Sequence, residues 1–497
     1  MFETVVTVMA GEFEPVIGLE VHAQLLTRTK IFCGCPTAFG AVPNEQTCPV
    51  CLGLPGALPV LNREAVEFGM RLILALGGRV NSPTVFARKN YFYPDLPKGY
   101  QISQFDRPLG EGGAVEFDLD GSRRRVGLIR IHLEEDAGKS FHQEIADQEP
   151  DTLVDLNRCG VPLLEIVSRP DIHDPREAAA YMQQLRRNVE YLGICTGNME
   201  EGALRCDANV SVRPKGASEL GTRTEVKNMN SFRSVERAIV CEIERQIGLI
   251  RSGGQVVQQT LLWNESRQTV EPMRSKEESS DYRYFPEPDL HPVDIPSDWL
   301  DDVRRSIPEL PLVRSDRLVS EYGIPEYDAN VLCDQKGIAD LFEAVAVQVP
   351  DAKLVSNWIM TEVLRIVSDR HTSVATLPVQ PPALTQLLSM VHSGRISGRT
   401  AKDVFEILLQ SGEAPEDIVA RKGLDQISDD HKLTELVDDV LNANPKEVTD
   451  YRGGNTKVLG FFMGQLMKAT GGRGNPQRLN EILRERLGRP EDGGTNT

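Results

Sequence analysis

Residues 16–51 carry two sets of side chains whose types and spacing could do chemistry. In the alternating stretch VIGLEVH, Glu20 and His22 fall on one face of a predicted strand and the apolar residues on the other. A carboxylate beside an imidazole suits a hard-metal or proton-transfer site. A cysteine cluster follows directly, and its thiols suit a softer metal.

The cysteine cluster has the spacing C-x-C, twelve residues, C-x-x-C, and consists of Cys33, Cys35, Cys48 and Cys51. Four thiolates so spaced can converge on one tetrahedral ion at about 2.3 Å. They fill its coordination sphere, so we predict a structural Zn²⁺ rather than a catalytic one. The alternative is four buried cysteines without metal. Nine cysteines with no secretory signal also favour reduced thiols over a disulfide scaffold.

A second constellation is spread over several predicted strands. Alternation places on one face of each strand the following polar side chains: Glu20 and His22; Arg130, His132 and Glu134; Arg205, Asp207, Asn209 and Ser211; Arg223, Glu225 and Lys227. Glu165 interrupts the apolar run PLLEIV, where a lone buried carboxylate would be costly. A sheet face with several carboxylates can hold Mg²⁺ and nucleotide phosphates. The alternative is a solvated face with surface ion pairs, but five such strands together favour a site.

Two stretches mix aromatic and charged residues, namely 89–104 (KNYFYPDLPKGYQISQ) and 274–290 (RSKEESSDYRYFPEPDL). Either is compatible with a proline-rich surface loop. Long loops of this composition inside a domain are usually functional. Their arginines and lysines could hold phosphates, as arginine clamps do in phosphoryl transfer.

The order of predicted elements indicates an α+β fold with an antiparallel sheet. Strands are predicted at 16–22, 126–135, 163–167, 205–212 and 222–227, and helices at 62–77, 174–193 and 234–254. The helical pattern that starts near residue 307 predicts a helical domain, and a polar break near 427 separates a small helical tail domain. The predicted domains are therefore 1–306, 307–427 and 428–497.

Charge and hydropathy exclude some functions. The net charge of −18 argues against nucleic-acid binding by the whole surface. A local basic segment exists in residues 451–490, which hold eight basic and two acidic side chains. We find no apolar run of about 18 residues and no signal-peptide pattern, so we expect no membrane span and a cytoplasmic location.

Eight stretches together resemble the kinase component, termed B, of the aspartyl/glutamyl-tRNA(Asn/Gln) amidotransferases, which are tRNA-dependent enzymes. They are IGLEVHAQL, CPVCLGLPGALPVLN, KNYFYPDLPKGYQISQ, HLEEDAGKS, DLNRCGVPLLEIVSRPDI, MEEGALRCDANVSVR, TEVKNMNSF and DYRYFPEPDL, and they cover most of residues 15–290. The C-terminal part is similar to the family in IPELP, SNWIM and TKVLGFFMGQLMKATGGRGNPQ. The similarity of the tail is shorter and looser.

The resemblance implies a glutamine-synthetase-like antiparallel cradle that holds ATP and Mg²⁺, followed by helical domains that bind tRNA. It also implies a heterotrimer in which the partners are an amidase subunit and a small third subunit. The cradle would phosphorylate the side-chain carboxylate of misacylated Glu-tRNA(Gln), Asp-tRNA(Asn) or both. Ammonia channelled from the amidase, which acts as a glutaminase, would then complete the amidation.

Carried onto this sequence, the family's metal positions are Glu20, His22, Glu135, Glu165 and Asp207, of which all but Glu135 are also our predicted catalytic residues. Alternation favours Glu134 over Glu135, and both are retained. We predict phosphate contacts for Arg205 and Lys276, and tRNA contacts for Lys457, Lys468 and Arg473. Two other functions remain open: a non-catalytic, zinc-bearing tRNA-binding protein, and a ligase for a free small acid.

Overall fold

The computed structural model describes residues 12–143, 151–273, 282–372, 374–427 and 429–488. The chain divides into two compact units, Met1–Val313 and Arg314–Thr497. The first unit contains the strands and the second is helical. This confirms the predicted α+β class with a helical C-terminal region, while the division into three domains stays a prediction.

The first unit is built on a large sheet of ten strands within the described residues. The strands of the unit are β1 (Phe13–Gln24), β2 (Arg79–Val80), β3 (Ala87–Asn90), β4 (Tyr100–Ser103), β5 (Gly110–Glu111), β6 (Ala114–Leu119), β7 (Ser122–Glu135), β8 (Lys139–Gln143), β9 (Asp151–Asp155), β10 (Pro162–Ser168), β11 (Leu204–Pro214), β12 (Thr224–Lys227), β13 (Thr260–Asn264), β14 (Thr269–Pro272) and β15 (Phe285–Pro286). The large sheet has the order β14-β13-β12-β11-β1-β10-β7-β5-β2, with β6 also pairing with β7. Two smaller sheets have the orders β15-β3-β4 and β8-β9.

Pairing in the large sheet is antiparallel except between β12 and β13, which run parallel. The purely antiparallel sheet expected from the sequence is therefore corrected at that pair. The 20-residue helix between the two strands supplies the long crossover that a parallel connection needs.

The first unit also contains, among its described residues, the helices α1 (Arg63–Ala75), α2 (Pro175–Tyr191), α3 (Phe232–Arg251) and α4 (Ser297–Arg305). Asn62, Asp174 and Ser231 cap the first three, each accepting a hydrogen bond from a backbone N–H of the first turn. The helical apolar pattern predicted near residue 174 is buried along α2. Helices α1, α2 and α3 pack on β7, β6 and β11 respectively.

Strand β1 lies at the centre of the large sheet, paired with β11 on one side and β10 on the other. Its apolar residues Ile17, Leu19 and Val21 are at most 1% exposed and belong to the hydrophobic core. A one-residue slip would exchange the buried and polar faces, so this burial fixes the register of β1. The alternate residues, including Glu20 and His22, are held on the opposite face.

The second unit consists of helices and short helical turns. They are α5 (Pro311–Tyr322), which begins at the end of the first unit, α6 (Glu326–Leu332), α7 (Lys336–Ala346), α8 (Ala352–Trp358), a π-helical turn (Ile359–Val363), α9 (Leu364–Asp369), a 3₁₀ turn (Val374–Thr376), α10 (Pro381–His392), α11 (Gly398–Ser411), α12 (Pro415–Lys422), α13 (Asp430–Ala443), α14 (Pro445–Arg452), α15 (Val458–Ala469) and α16 (Pro476–Leu487). One hydrophobic cluster extends from Leu318 to Val419 and a smaller one from Leu433 to Leu487. In the parts of the chain that the structure describes, every helix is too short or too polar to cross a membrane.

The burial of β1 predicts a large stability effect at Leu19. Replacing Leu19, which is 1% exposed, by Ala should lower the free energy of unfolding by about 2–5 kcal/mol, because a cavity remains in the core. Leu26→Ala, at a side chain 49% exposed, should change it by less than about 0.5 kcal/mol. Urea denaturation followed by far-UV circular dichroism measures both. Equal losses for the two variants would contradict the central position of β1.

Candidate functional site

The polar face of the large sheet gathers side chains from four adjacent strands. Antiparallel register places Glu20 of β1 opposite Asp207 of β11. On the other side of β1, His22 lies opposite Glu165 of β10, and Glu165 in turn lies opposite His132 of β7. Directly opposed residues point to the same face of a sheet. Residues far apart in sequence therefore meet on one surface, as the alternation pattern predicted.

Two carboxylates and two imidazoles form the centre of this surface. Nε2 of His22 lies 3.5 Å from Oε1 of Glu134 and 3.5 Å from Oε2 of Glu165. Nε2 of His132 lies 3.8 Å and 3.5 Å from the same two carboxylates. One ligand atom from each of His22, Glu134 and Glu165 lies within 4.8 Å of the others. These three side chains could hold one divalent cation, and we call them, with His132, the inner cluster.

The charges of the inner cluster depend on one another. Burial alone would raise the pKa of Glu165, but His132 and His22 hold that pKa well below its usual range. Glu134 behaves in the same way, with its pKa lowered chiefly by His132 against the effect of burial. Burial opposes a charged His132, yet the two carboxylates raise its pKa to about 9. The cluster thus combines ionised carboxylates with positive partners, an environment suited to a cation.

A second pair of carboxylates lies across β1. Glu20 accepts a hydrogen bond of 2.9 Å from Nδ2 of Asn209. Burial, followed by the like charges of Glu165 and Glu225, raises the pKa of Glu20. Asp207 accepts a hydrogen bond of 2.6 Å from Nζ of Lys227. The second pair can add oxygen ligands to those of the inner cluster, and it is partly neutralised by a lysine.

Arg205 is held by Asp136, a residue that the sequence reasoning missed. Nη2 of Arg205 donates to Oδ2 of Asp136 at 2.9 Å, and Gln24 donates to the same oxygen at 2.8 Å. Asp136 is 3% exposed. Burial would raise its pKa, but Arg205 and Arg158 lower it. Its signal was its place as the third consecutive acid at the end of β7. The predicted phosphate contact Arg205 therefore lies beside the inner cluster on a fixed support.

Glu135 does not join this surface. Its carboxylate accepts a hydrogen bond of 2.8 Å from the backbone N–H of Ile102 and pairs with Lys98. Strict alternation along β7 turns Glu135 to the opposite face from Glu134, which corrects the expectation that both could reach one metal. Glu135 and Lys98 instead line a cavity of about 170 Å³, together with Lys30 and Cys51. The other predicted phosphate contact, Lys276, lies outside the described residues.

The cysteine cluster has the geometry of a metal site. One sulfur from each of the four cysteines lies within 4.8 Å of the others, and Sγ of Cys48 and Cys51 are 3.9 Å apart. Thiolates around tetrahedral Zn²⁺ are about 3.8 Å apart, given bonds of about 2.3 Å. Hydrogen bonding from Cys33, with a smaller contribution from Lys30, lowers the pKa of Cys51 to about 4. The cluster therefore suits Zn²⁺.

Lys30 ties the cysteine cluster to its surroundings. The residue is fully buried, and its ammonium donates to the carbonyl oxygen of Gln46 at 2.7 Å. It also lies 3.6 Å from Sγ of Cys51. A buried cation at this position offsets part of the negative charge that four thiolates around Zn²⁺ would carry.

The predicted tRNA contacts lie in the second unit. Lys457 and Lys468 are exposed at the two ends of α15, and Arg473 is exposed in the turn that follows. Eleven residues correspond to almost three full turns of helix, so both lysines project from a similar side. Arg473 also donates to the carbonyl oxygen of Gly423 at 3.2 Å.

Comparison with known proteins assigns the class of the chain. Residues 15–301 match the GatB/GatE catalytic domain, and residues 340–487 match the GatB domain. The chain is a component of an amidotransferase of the ligase class, which works as a complex of several subunits.

The relatives give the family. The chain is 54% identical to the GatB subunit of aspartyl/glutamyl-tRNA(Asn/Gln) amidotransferase from Moorella thermoacetica over 476 residues, covering 96% of this chain and 100% of that protein. It is 52% identical to the protein of the same name from Thermodesulfovibrio yellowstonii, over 95% of this chain and 98% of the relative. The chain therefore belongs to the GatB family of aspartyl/glutamyl-tRNA(Asn/Gln) amidotransferase subunits, and the predicted family is confirmed.

The contrast between Glu134 and Glu135 predicts how the purified chain binds Mn²⁺, used as a spectroscopic probe of the divalent site. Glu134→Gln should weaken Mn²⁺ binding about tenfold or more, because the inner cluster loses a ligand oxygen. Glu135→Gln should leave the affinity unchanged. Titration followed by electron paramagnetic resonance measures the free ion. A larger loss in Glu135→Gln than in Glu134→Gln would contradict the assignment of the face.

The cysteine cluster predicts one bound Zn²⁺ per chain, measured by inductively coupled plasma mass spectrometry after dialysis. Cys48→Ser should lose this zinc, since three thiolates no longer complete the tetrahedron. The matched control is Cys241→Ser on α3, a half-buried cysteine outside the cluster, which should keep it. Full zinc content in Cys48→Ser would show that the metal is bound elsewhere.

Proposed function

We propose that this chain activates the side-chain carboxylate of misacylated Glu-tRNA(Gln), Asp-tRNA(Asn) or both by phosphorylation from ATP. Amidation with ammonia from a glutaminase partner then follows. The convergence of His22, Glu134 and Glu165 on one sheet face carries the proposal. The family of the chain supports it, because the relatives are named as amidotransferases for these aminoacyl-tRNAs.

The chemistry requires activation because a carboxylate has no good leaving group. A carboxylate oxygen attacks the γ-phosphorus of ATP, the bond from that phosphorus to ADP breaks, and an acyl phosphate forms. Ammonia then attacks the carbonyl carbon, phosphate leaves, and a proton is lost to give the amide. Catalysis of such a transfer rests on positioning and on stabilising phosphate charge.

The residues of the polar face have distinct proposed roles. The inner cluster, with Glu20 and Asp207 across β1, would hold Mg²⁺. When bound, Mg²⁺ neutralises charge that develops on the phosphates. Arg205, fixed by Asp136, would hold phosphate oxygens by charge-assisted hydrogen bonds. Lys276 is proposed for the same task. The cradle would in this way resemble that of glutamine synthetase.

The cysteine cluster has a structural role in this proposal. Four thiolates leave no open position for substrate, so Zn²⁺ would fasten the loop that follows β1. Two of the cysteines line the cavity next to Lys98 and Glu135. Loss of the metal should thus disturb the surroundings of the cleft rather than the inner cluster.

The partners follow from the same proposal. An amidase subunit would release ammonia from glutamine, and a small third subunit would complete the heterotrimer. Ammonia is a nucleophile only when neutral, which favours a closed route between the two active sites. Lys457, Lys468 and Arg473 would contact tRNA phosphates, since exposed lysine and arginine side chains supply most such contacts.

Variants of the cluster test the catalytic proposal in a complex reconstituted with both partners. Asp207→Asn and Glu165→Gln should each lower the rate of amidation by about a hundredfold or more, because metal and phosphate charges lose their support. The assay supplies ATP, Mg²⁺ and glutamine, with Glu-tRNA(Gln) and Asp-tRNA(Asn) in separate reactions. The control is Glu116→Gln, an identical change at an exposed position of β6.

The outcomes separate the alternatives. Amidation that survives in folded Asp207→Asn and Glu165→Gln complexes would contradict the site. tRNA binding without phosphate release would instead indicate a non-catalytic binding protein. Amidation of free glutamate without tRNA would indicate a ligase for a small acid.

A further inference from the structure

A stacked pair of aromatic side chains lies in the first unit. The rings of Phe105 and Tyr284 are nearly parallel, with centroids 4.2 Å apart and an interplanar angle of 8°. Phe105 is 50% exposed, and Tyr284 is half-buried. The hydrophobic core of this unit leaves both rings out. An aromatic surface left open to solvent often marks a binding site.

The pair borders the inner cluster. Ser103, two residues before Phe105, has its hydroxyl 3.3 Å from Oε2 of Glu134. Cα atoms two residues apart are separated by at most about 7 Å, so Phe105 lies next to the carboxylates. Tyr284 is also within their electrostatic reach: its pKa is raised first by burial, and Glu165 and Glu134 add to the effect.

The segment that carries Tyr284 is firmly attached to β3. Arg88 donates to both oxygens of the buried Glu287, at 2.7 and 2.8 Å. Two residues along β3, the backbone N–H of Asn90 donates to the carbonyl oxygen of Tyr282 at 2.9 Å. These contacts hold Tyr284 from both sides in sequence. The platform is therefore pre-organised, which lowers the entropic cost of binding a flat ligand.

A cation lies between the platform and the cluster. Nζ of Lys89 is 4.8 Å from the ring centroid of Tyr282. Burial disfavours its charge, but Glu134, Tyr284 and Glu165 raise its pKa, so the ammonium stays charged. Within one small region the chain presents stacked rings, an ammonium group and a carboxylate cluster. A nucleotide needs these three elements for its base, its phosphates and its metal ion.

We propose that Phe105 and Tyr284 form a stacking platform for an adenine base. The base belongs either to ATP or to the 3′-terminal adenosine of the aminoacyl-tRNA, which share this chemistry. The inference rests on the proposed function and adds to it the subsite for the base. Stacking on an aromatic ring is largely insensitive to hydrogen-bonding pattern, so it contributes affinity more than selectivity.

The test uses the reconstituted complex and two ligands that differ in the base, a non-hydrolysable ATP analogue and inorganic tripolyphosphate, both with Mg²⁺. Calorimetry gives their dissociation constants, and steady-state amidation gives the KM for misacylated tRNA. Phe105→Ala should weaken base-dependent binding about tenfold. Tripolyphosphate binding should not change. Phe105→Tyr should retain base-dependent binding, and Phe141→Ala, at another exposed ring, should have no effect on it.

The arms of the test identify the source of the base. A loss confined to the ATP analogue assigns the platform to ATP, and a loss confined to the KM for tRNA assigns it to the terminal adenosine. Unchanged binding of both overturns the platform. A matching loss for tripolyphosphate also overturns it, because the cleft itself would then have been damaged. Failure of the proposed function is distinct, since unmodified complex would then show no ATP-dependent amidation.

Discussion

The arrangement of the first unit depends on how two buried like charges are tolerated. Glu134 and Glu165 are 3% and 8% exposed and share both imidazole partners. Two adjacent carboxylates away from water would neutralise themselves by taking up protons unless positive groups face them. His22 and His132 provide those groups, and Arg130 lies 3.6 Å from Glu165. The same need for positive charge makes the cluster a receptor for a divalent cation.

Strand β1 keeps the structural and the chemical functions of the sheet on separate faces. Its apolar residues pack into the core, and this packing fixes the register that brings β10 and β11 alongside. The cysteine cluster lies in the loop that follows, where four thiolates and Lys30 organise a segment with little apolar burial of its own. The strand therefore supplies the chemistry, and the loop after it is stabilised by a different kind of interaction.

Much of this site could be predicted because strand alternation is a local property. The polar faces of β1, β7 and β11 were predicted from spacing alone, and alternation favoured Glu134, which the structure places in the cluster. The family motif favoured Glu135, since adjacent glutamates cannot be told apart by a motif without the pleat. Asp136 was missed because it follows the end of β7, where alternation stops. The parallel pairing of β12 with β13 and the contact of Tyr284 with Phe105 depend on long-range packing, which spacing along the chain does not encode.

The central claim is that the inner cluster holds the divalent ion that accompanies ATP. Anomalous diffraction at the manganese edge, from crystals grown with Mn²⁺ and a non-hydrolysable ATP analogue, tests it most directly. We expect a peak within about 2.3 Å of Nε2 of His22 and of a carboxylate oxygen from each of Glu134 and Glu165. A peak beside Glu135 and Lys98 instead, or bound nucleotide with no ion at the inner cluster, would contradict the account.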